Sequence, residues 1–419
     1  MTEHDLIRAS AQAGRVVVYE ESPRDGAQAK TLMSADFRVK LALAQGAMFG
    51  ENGSRQVVYA AGFPAISGHE REAIRKVAQE AQEAVSVSAV CRCLPQDVEL
   101  GLKALNGAKN TRLLIIVGSS AEMCQLTGRS TSEFFAYALD VVKQAVQESA
   151  GEVAVDVIMG DAPRADRAQL ADSAAAMTAE GAGLIVLADT TGGLLPREAG
   201  ALFEDIARRA GDEVVLGSHM HNDLGLALPN TLAAMETGTR VIATSWLGFS
   251  ERSGMTPTEV LVFLLTYAPK RAAELLGTDV PLWWSAPDLK QLPRITEMVS
   301  RETGVPITVT TPIVGSGVGT TSAGTHFLDP TVFHAFDQKE HLGIEQKVLL
   351  TQLVSSRIVK SVAENLGYGL TSDEITSAMA WIKDRAFRLN ESVVSEDDFA
   401  MFLDGMVAGR PLASADPVT

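Results

Sequence analysis

The densest candidate chemistry in the chain is His219-Met220-His221-Asn222-Asp223-Leu224-Gly225. It closes an apolar run, Glu213 to Ser218, that reads as a strand. Side chains two residues apart on a strand share a face, so both imidazoles can turn toward one ion. A His-x-His pair at a strand end is a compact metal chelate. The competing reading is two histidines satisfied by hydrogen bonds alone. Asn222, Asp223 and Gly225 supply turn chemistry just past the strand end. Asp25 offers a carboxylate that completes a two-His, one-carboxylate set, Asp25, His219 and His221. Three protein ligands leave positions open for water and substrate, as a catalytic site requires. Such a set suits Mg²⁺, Mn²⁺ or Zn²⁺ alike.

Arg24 sits beside Asp25. It either orients the aspartate as an ion pair or stabilises an enolate or carboxylate oxygen. Thr190 can donate to a substrate carboxylate, or Asp189-Thr190 can form an Asx-type turn. Glu251 is a catalytic candidate, with a structural ion pair to Arg252 as its other reading. His326 follows a glycine-rich loop, Gly315 to Gly324, and matters only if that loop returns over the site. The loop lacks the Gly-Lys-Ser/Thr ending of a phosphate loop.

Something must hold these residues together. Short apolar, β-branched runs recur at Arg15–Glu20, Arg55–Ala60, Ser86–Cys91, Arg112–Gly118, Glu152–Met159, Gly183–Ala188, Glu213–Ser218 and Arg240–Trp246. Helical patterns lie between them at Ser34–Gln45, Glu70–Ala84, Thr131–Gln147, Arg167–Glu180, Arg197–Ala210 and Leu228–Thr237. Eight strands alternating with helices over about 250 residues predict an α/β fold, a (β/α)8 TIM barrel. An open doubly wound sheet is the runner-up, but no Gly-x-Gly-x-x-Gly follows the first strand. Barrel active sites lie at the C-terminal strand ends. That rule brings Arg24, Asp25, Thr190, His219, His221 and Glu251 to one mouth. The alternation stops near residue 275. The pattern then predicts a linker arm with the glycine-rich loop over 276–343 and a mainly helical C-terminal region over 344–419. In the latter, Glu345–Leu366 and Ser372–Leu389 read as amphipathic helices, with a short one at Ser395–Leu403.

A net charge of −16 argues against a nucleic-acid or anionic-membrane binder. Three scattered cysteines, Cys91, Cys93 and Cys124, point to a reducing compartment and not to a zinc framework. The N-terminus lacks a charged-then-apolar leader pattern, and no run approaches the ~18 apolar residues of a membrane span. A cytoplasmic protein is expected.

The motifs occur in the order of a known family. They are Ser22-Pro-Arg-Asp-Gly-Ala-Gln28, Ala61-Gly-Phe-Pro-Ala65, Asp189-Thr-Thr-Gly192, His219-Met-His-Asn-Asp-Leu-Gly-Leu-Ala227 and Gly248-Phe-Ser-Glu-Arg-Ser-Gly254. The chain resembles the DRE-TIM metallolyase superfamily, in its Claisen-condensing branch of 2-isopropylmalate, homocitrate, citramalate and phosphonomethylmalate synthases. Ser322-Ala-Gly-Thr-His-Phe-Leu-Asp-Pro330 and Phe333-His-Ala-Phe-Asp-Gln-Lys-Glu-His-Leu-Gly343 extend the likeness beyond the barrel. The resemblance implies a divalent-metal-dependent acyltransferase condensing acetyl-CoA with a 2-oxo acid, closest in its Glu251–Pro257 flap to homocitrate synthases. It implies metal on Asp25, His219 and His221, and catalytic roles for Arg24, Glu251 and His326. It implies substrate contacts from Arg24, Gln28, Thr190 and Arg164. His326 would come from the neighbouring subunit of a homodimer and assist proton transfer at the acetyl group.

The chain also departs from the family. Ala27, Ala60 and Gly160 stand where carboxylates are usual, and Phe333 where a tyrosine is. A less negative pocket would suit a more anionic oxo acid, such as a phosphonate or dicarboxylate, or would mean altered catalysis. Two rivals follow. A lyase of the hydroxymethylglutaryl-CoA type shares the barrel but needs a cysteine after the eighth strand, and this chain has none beyond Cys124. A non-catalytic oxo-acid-binding homologue would keep the site without turnover.

Overall fold

The computed structural model describes residues 5–321 and 334–408. They cluster into two compact units, 1–307 and 308–419. In the first, eight parallel strands close into a barrel in sequence order. The strands are β1 (Val17–Glu20), β2 (Val57–Gly62), β3 (Ser86–Arg92), β4 (Thr111–Gly118), β5 (Val153–Gly160), β6 (Ile185–Asp189), β7 (Leu216–Met220) and β8 (Val241–Thr244). Val18 pairs with both Val57 and Ile242, which joins the first strand to its second neighbour and to the last. A parallel barrel covers both faces of every strand, so each reads as an unbroken apolar run. This is why the periodicity located all eight strands.

The strand alternation sets what enters the barrel. Val17 and Tyr19 of β1, Val58 and Ala60 of β2, Leu114 of β4 and Ile158 of β5 share one buried cluster. Ile7 and Ala11 of helix Leu6–Gln12 join it. At the N-terminal strand ends Arg112 is gripped by Asp156 at 2.7 Å, and Asp5 also pairs with it. Arg112 and Asp156 are buried, Asp5 is partly so, and both carboxylates accept from the guanidinium, which a buried charge requires.

The intervening helices match the sequence pattern closely. Ser34 caps helix Ala35–Met48, and Thr131–Glu148 starts at a capping box on Ser130 and Glu133. Among the described residues, the helices not foreseen include Leu6–Gln12, Pro95–Leu105, Thr258–Tyr267 and Leu292–Thr303. The last falls in the stretch expected to be an arm. Pro293 lies in its first turn, where a missing N–H costs nothing, and Leu292, Ile295 and Val299 are buried. The barrel unit therefore extends to residue 307, past the break expected near 275.

In the second unit, helix Ser372–Leu389 falls where the pattern put it. The expected helix Glu345–Leu366 is shorter. Lys347–Val348 pairs in parallel with Thr320–Thr321, and Ser355 caps a helix spanning only Ser356–Asn365. Its core is built from Ile358, Val359, Val362, Ala378, Ile382, Phe399 and Leu403. Among the described residues, no helix is long and apolar enough to cross a membrane.

Candidate active site and metal centre

On β1 the inward phase runs Val17, Tyr19 and then Glu21, one residue past the strand end. The Glu21 amide donates to Thr244 O at 2.8 Å, so the strand pairing continues to that point. The Glu21 carbonyl then accepts from the amides of Arg24 (3.0 Å) and Asp25 (2.8 Å). This turn folds Arg24 and Asp25 back over the mouth. On β7 the inward phase runs Gly217 to His219, and His221 follows, its backbone bridged to Met255.

These elements bring Asp25, His219 and His221 together with one ligand atom of each within 4.8 Å of the others. All three are buried. The two Nε2 atoms approach to 3.2 Å, and His219 Nε2 lies 3.7 Å from Asp25 Oδ2. His221 Nδ1 faces Gly254 O at 3.3 Å, so it carries the proton and its Nε2 presents a lone pair. Burial, with His219 next to it, pushes the His221 imidazole down to about 4. The ring is therefore neutral near pH 7, the state a metal ligand needs. Burial would raise the Asp25 carboxyl, but the Arg24 guanidinium and a hydrogen bond from Ser250 hold it well below the usual carboxylate range. A carboxylate and imidazole lone pairs converging in a buried pocket are a donor set that a divalent cation satisfies.

Around this trio the barrel-mouth loops interlock. Asp25 Oδ1 accepts from the Ser250 hydroxyl and from the Glu251 amide, the latter at 3.3 Å. Asp25 Oδ2 accepts from Arg24 Nη1 at 2.8 Å. Arg24 also donates to both oxygens of Glu21, at 2.7 and 2.8 Å. Arg252 donates to both oxygens of Asp223, at 2.8 and 3.0 Å, and to Thr190 O at 2.6 Å, tying the loops after β6, β7 and β8 together.

The other sequence candidates distribute unevenly. Thr190 is half-buried at the mouth, and its Oγ1 accepts from the Asp161 amide at 2.8 Å, leaving its own O–H free to donate. The Asx-type turn foreseen there is formed by Asp189, which accepts from the Gly193 and Leu194 amides. Arg164 pairs with Asp161 at 2.6 Å. The Gln28 side chain is exposed. Glu251 is half-exposed and ion-paired with Arg252 at 3.3 Å, so it reaches Asp25 through its amide and not its carboxylate. His326 and Phe333 lie outside the described residues.

The barrel agrees with what sequence comparison finds. A family model described as HMGL-like matches residues 15–299. The chain belongs to the HMGL-like family. Its curated relatives lie on the Claisen-condensing branch of the DRE-TIM superfamily. The 2-isopropylmalate synthase of Prochlorococcus marinus is 28% identical over 407 residues, covering 94% of this chain and 74% of that one. The homocitrate synthase of Sulfolobus acidocaldarius is 28% identical over 378 residues, covering 88% and 75%. Among solved structures, the HMG-CoA lyase from Brucella melitensis superimposes with a TM-score of 0.55 at 17% identity, covering 69% of this chain and 99% of that chain. At that identity the likeness is one of fold.

The positions where the resemblance led one to expect carboxylates have their own structural setting. Ala60 is fully buried in the barrel core, and Ala27 is exposed. Gly160 has no room for a side chain without displacing Met123, whose sulfur would sit 3.2 Å from an added Cβ. The mouth is nonetheless not stripped of carboxylates, because Glu21 brings one in, 1% exposed and bound to Arg24. Sequence reading missed Glu21, Ser250, Arg252 and Gly254 as functional residues. A signal for Glu21 existed: it continues the inward phase of Val17 and Tyr19.

Proposed function

We propose that the protein is an acyltransferase that condenses acetyl-CoA with a 2-oxo acid. The acetyl methyl carbon loses a proton and bonds to the keto carbon. Water then cleaves the thioester, giving CoA and a 2-hydroxy-2-alkyl dicarboxylate or tricarboxylate. The observation that carries this reading is the Asp25–His219–His221 trio, with Arg24 against it, at the mouth of a barrel in a chain of the condensing branch.

A divalent cation held by these three residues would polarise the keto oxygen and orient the oxo acid. Arg24 keeps N–H donors beyond those spent on Glu21 and Asp25, and they stabilise the developing alkoxide. The free O–H of Thr190 holds the substrate carboxylate, with Arg164 and Gln28 at its edge. Glu251 contributes its amide to the placement of Asp25. His326 assists proton transfer at the acetyl group, from the neighbouring subunit of a homodimer.

The test is thiol release from acetyl-CoA with Mg²⁺, Mn²⁺ or Zn²⁺ against 2-oxoglutarate, oxaloacetate, 2-oxoisovalerate, pyruvate and phosphonopyruvate. Metal-dependent release with one acid is expected. Silence across the panel from metal-loaded protein would overturn the reading and favour the lyase or the binding homologue.

A further inference from the structure

The metal trio accounts for one nitrogen of each imidazole and leaves the others to be explained. His221 Nδ1 is settled by Gly254 O. His219 Nδ1 is buried and has no hydrogen-bond partner. The polar atom facing it is Glu21 Oε1, 3.6 Å away. Glu21 is itself fixed: its two oxygens are taken by Arg24 in a two-pronged pair, and its backbone is locked into β8 and into the turn that carries Asp25. One rigid carboxylate thus stands behind both a metal ligand and the arginine beside the metal.

We propose that Glu21 is the positioning residue of this centre: it accepts the Nδ1 proton of His219, so that Nε2 is presented to the cation, while the same carboxylate aims Arg24. A ligand imidazole whose other N–H meets a carboxylate is fixed in tautomer and orientation and is a stronger donor. The 3.6 Å separation closes to a hydrogen bond with a shift of a few tenths of an ångström, within reach of a small rotation of the imidazole. Glu21 touches neither substrate nor the reacting atoms and acts through His219 and Arg24. The inference rests on the metal assignment made above.

The test reads metal binding and tautomer, independently of turnover. Mn²⁺ titration by calorimetry is compared between wild type and Glu21→Gln, with circular dichroism as the check on folding. Loss of such a partner typically weakens metal binding 10–100-fold, and a loss in that range is expected here. An unchanged Mn²⁺ affinity in folded Glu21→Gln overturns the role of Glu21 and leaves the metal site standing. Wild-type protein that binds no Mn²⁺ overturns the metal assignment and the inference with it. Long-range ¹⁵N NMR of the histidines in wild-type protein decides the matter even if the variant does not fold. A proton on His219 Nδ1 supports the proposal, and a proton on Nε2 with Nδ1 bare overturns it.

Discussion

Replacing Glu259 by glutamine isolates a buried charge that supports the active-site rim. Glu259 is 1% exposed, and its Oε2 accepts from the Leu247 amide at 2.9 Å. Leu247 has φ +57°, a left-handed conformation that a leucine holds only when its surroundings impose it. The loop it opens carries Ser250 and Gly254, which hold Asp25 and His221. Burial, with the Glu20 carboxylate adding to it, pushes the Glu259 carboxyl from 4.5 up to about 7. A raised carboxyl binds its proton more tightly folded than unfolded. Its contribution to stability is therefore complete below pH 4.5 and is lost as pH rises through 7. That rise corresponds to about 3 kcal/mol in total, of which roughly 2.5 kcal/mol falls between pH 5 and 8. Glutamine mimics the protonated acid, keeping an acceptor for Leu247 and adding a donor. Urea unfolding of both proteins at pH 5 and pH 8 should show Glu259→Gln gaining roughly 2 kcal/mol relative to wild type at the higher pH. A stability difference that does not change between the two pH values would refute the reasoning.

Other outcomes follow from the same geometry. His219→Ala should abolish metal-dependent thiol release and Mn²⁺ binding together; a variant that keeps wild-type turnover after chelator treatment would remove the trio from the chemistry. Gly254→Ala should lower both stability and activity, because φ is +93° and the new Cβ runs into the Gly248 carbonyl. A loss of about 1–3 kcal/mol is expected in denaturant melts, and an unaffected melt would show that the rim can relax. Four arginines of the described mouth are each held by a carboxylate: Arg24 by Glu21 and Asp25, Arg92 by Asp97, Arg164 by Asp161, Arg252 by Asp223. Monocarboxylic 2-oxo acids should therefore show higher kcat/KM than dicarboxylic or phosphonate ones; a tenfold preference for 2-oxoglutarate over 2-oxoisovalerate would contradict this.

The grouping of Asp25, His219 and His221 was legible because its information is local. A two-residue spacing fixes the face of the histidines, and the strand-end rule places Asp25 at the same mouth. The strands were legible because burial on both sides leaves continuous apolar runs. What escaped was either ambiguous in pattern or dependent on partners distant in the chain. Helix Thr258–Tyr267 is apolar nearly all round, with Val260, Leu261, Val262, Phe263 and Leu265 buried, so it carries no helical stripe. Leu292–Thr303 was hidden by a proline that reads as a breaker but sits in the first turn. Arg252 gained its importance by reaching Asp223 and Thr190, residues 29 and 62 positions away, which no spacing rule could supply.

The charge at the mouth argues for the cation independently of ligand geometry. Glu21, Arg24 and Asp25 are all buried, and two of the three are acids, so these three residues carry one net negative charge. The whole chain is strongly negative as well, at −16. A 2-oxo acid is an anion and would meet repulsion in a buried pocket, where charges act most strongly. Arg24 cannot overcome this, because its charge is already balanced by Glu21 and Asp25 and three of its N–H groups are spent on them. One divalent cation would reverse the sign of the cluster to a single positive charge, which one carboxylate would neutralise. A cation held there would supply attraction for a 2-oxo acid, while Arg24 would supply direction. Its remaining donors are aimed by the two acids and are fixed before the substrate arrives, which is when preorganised donors are worth most.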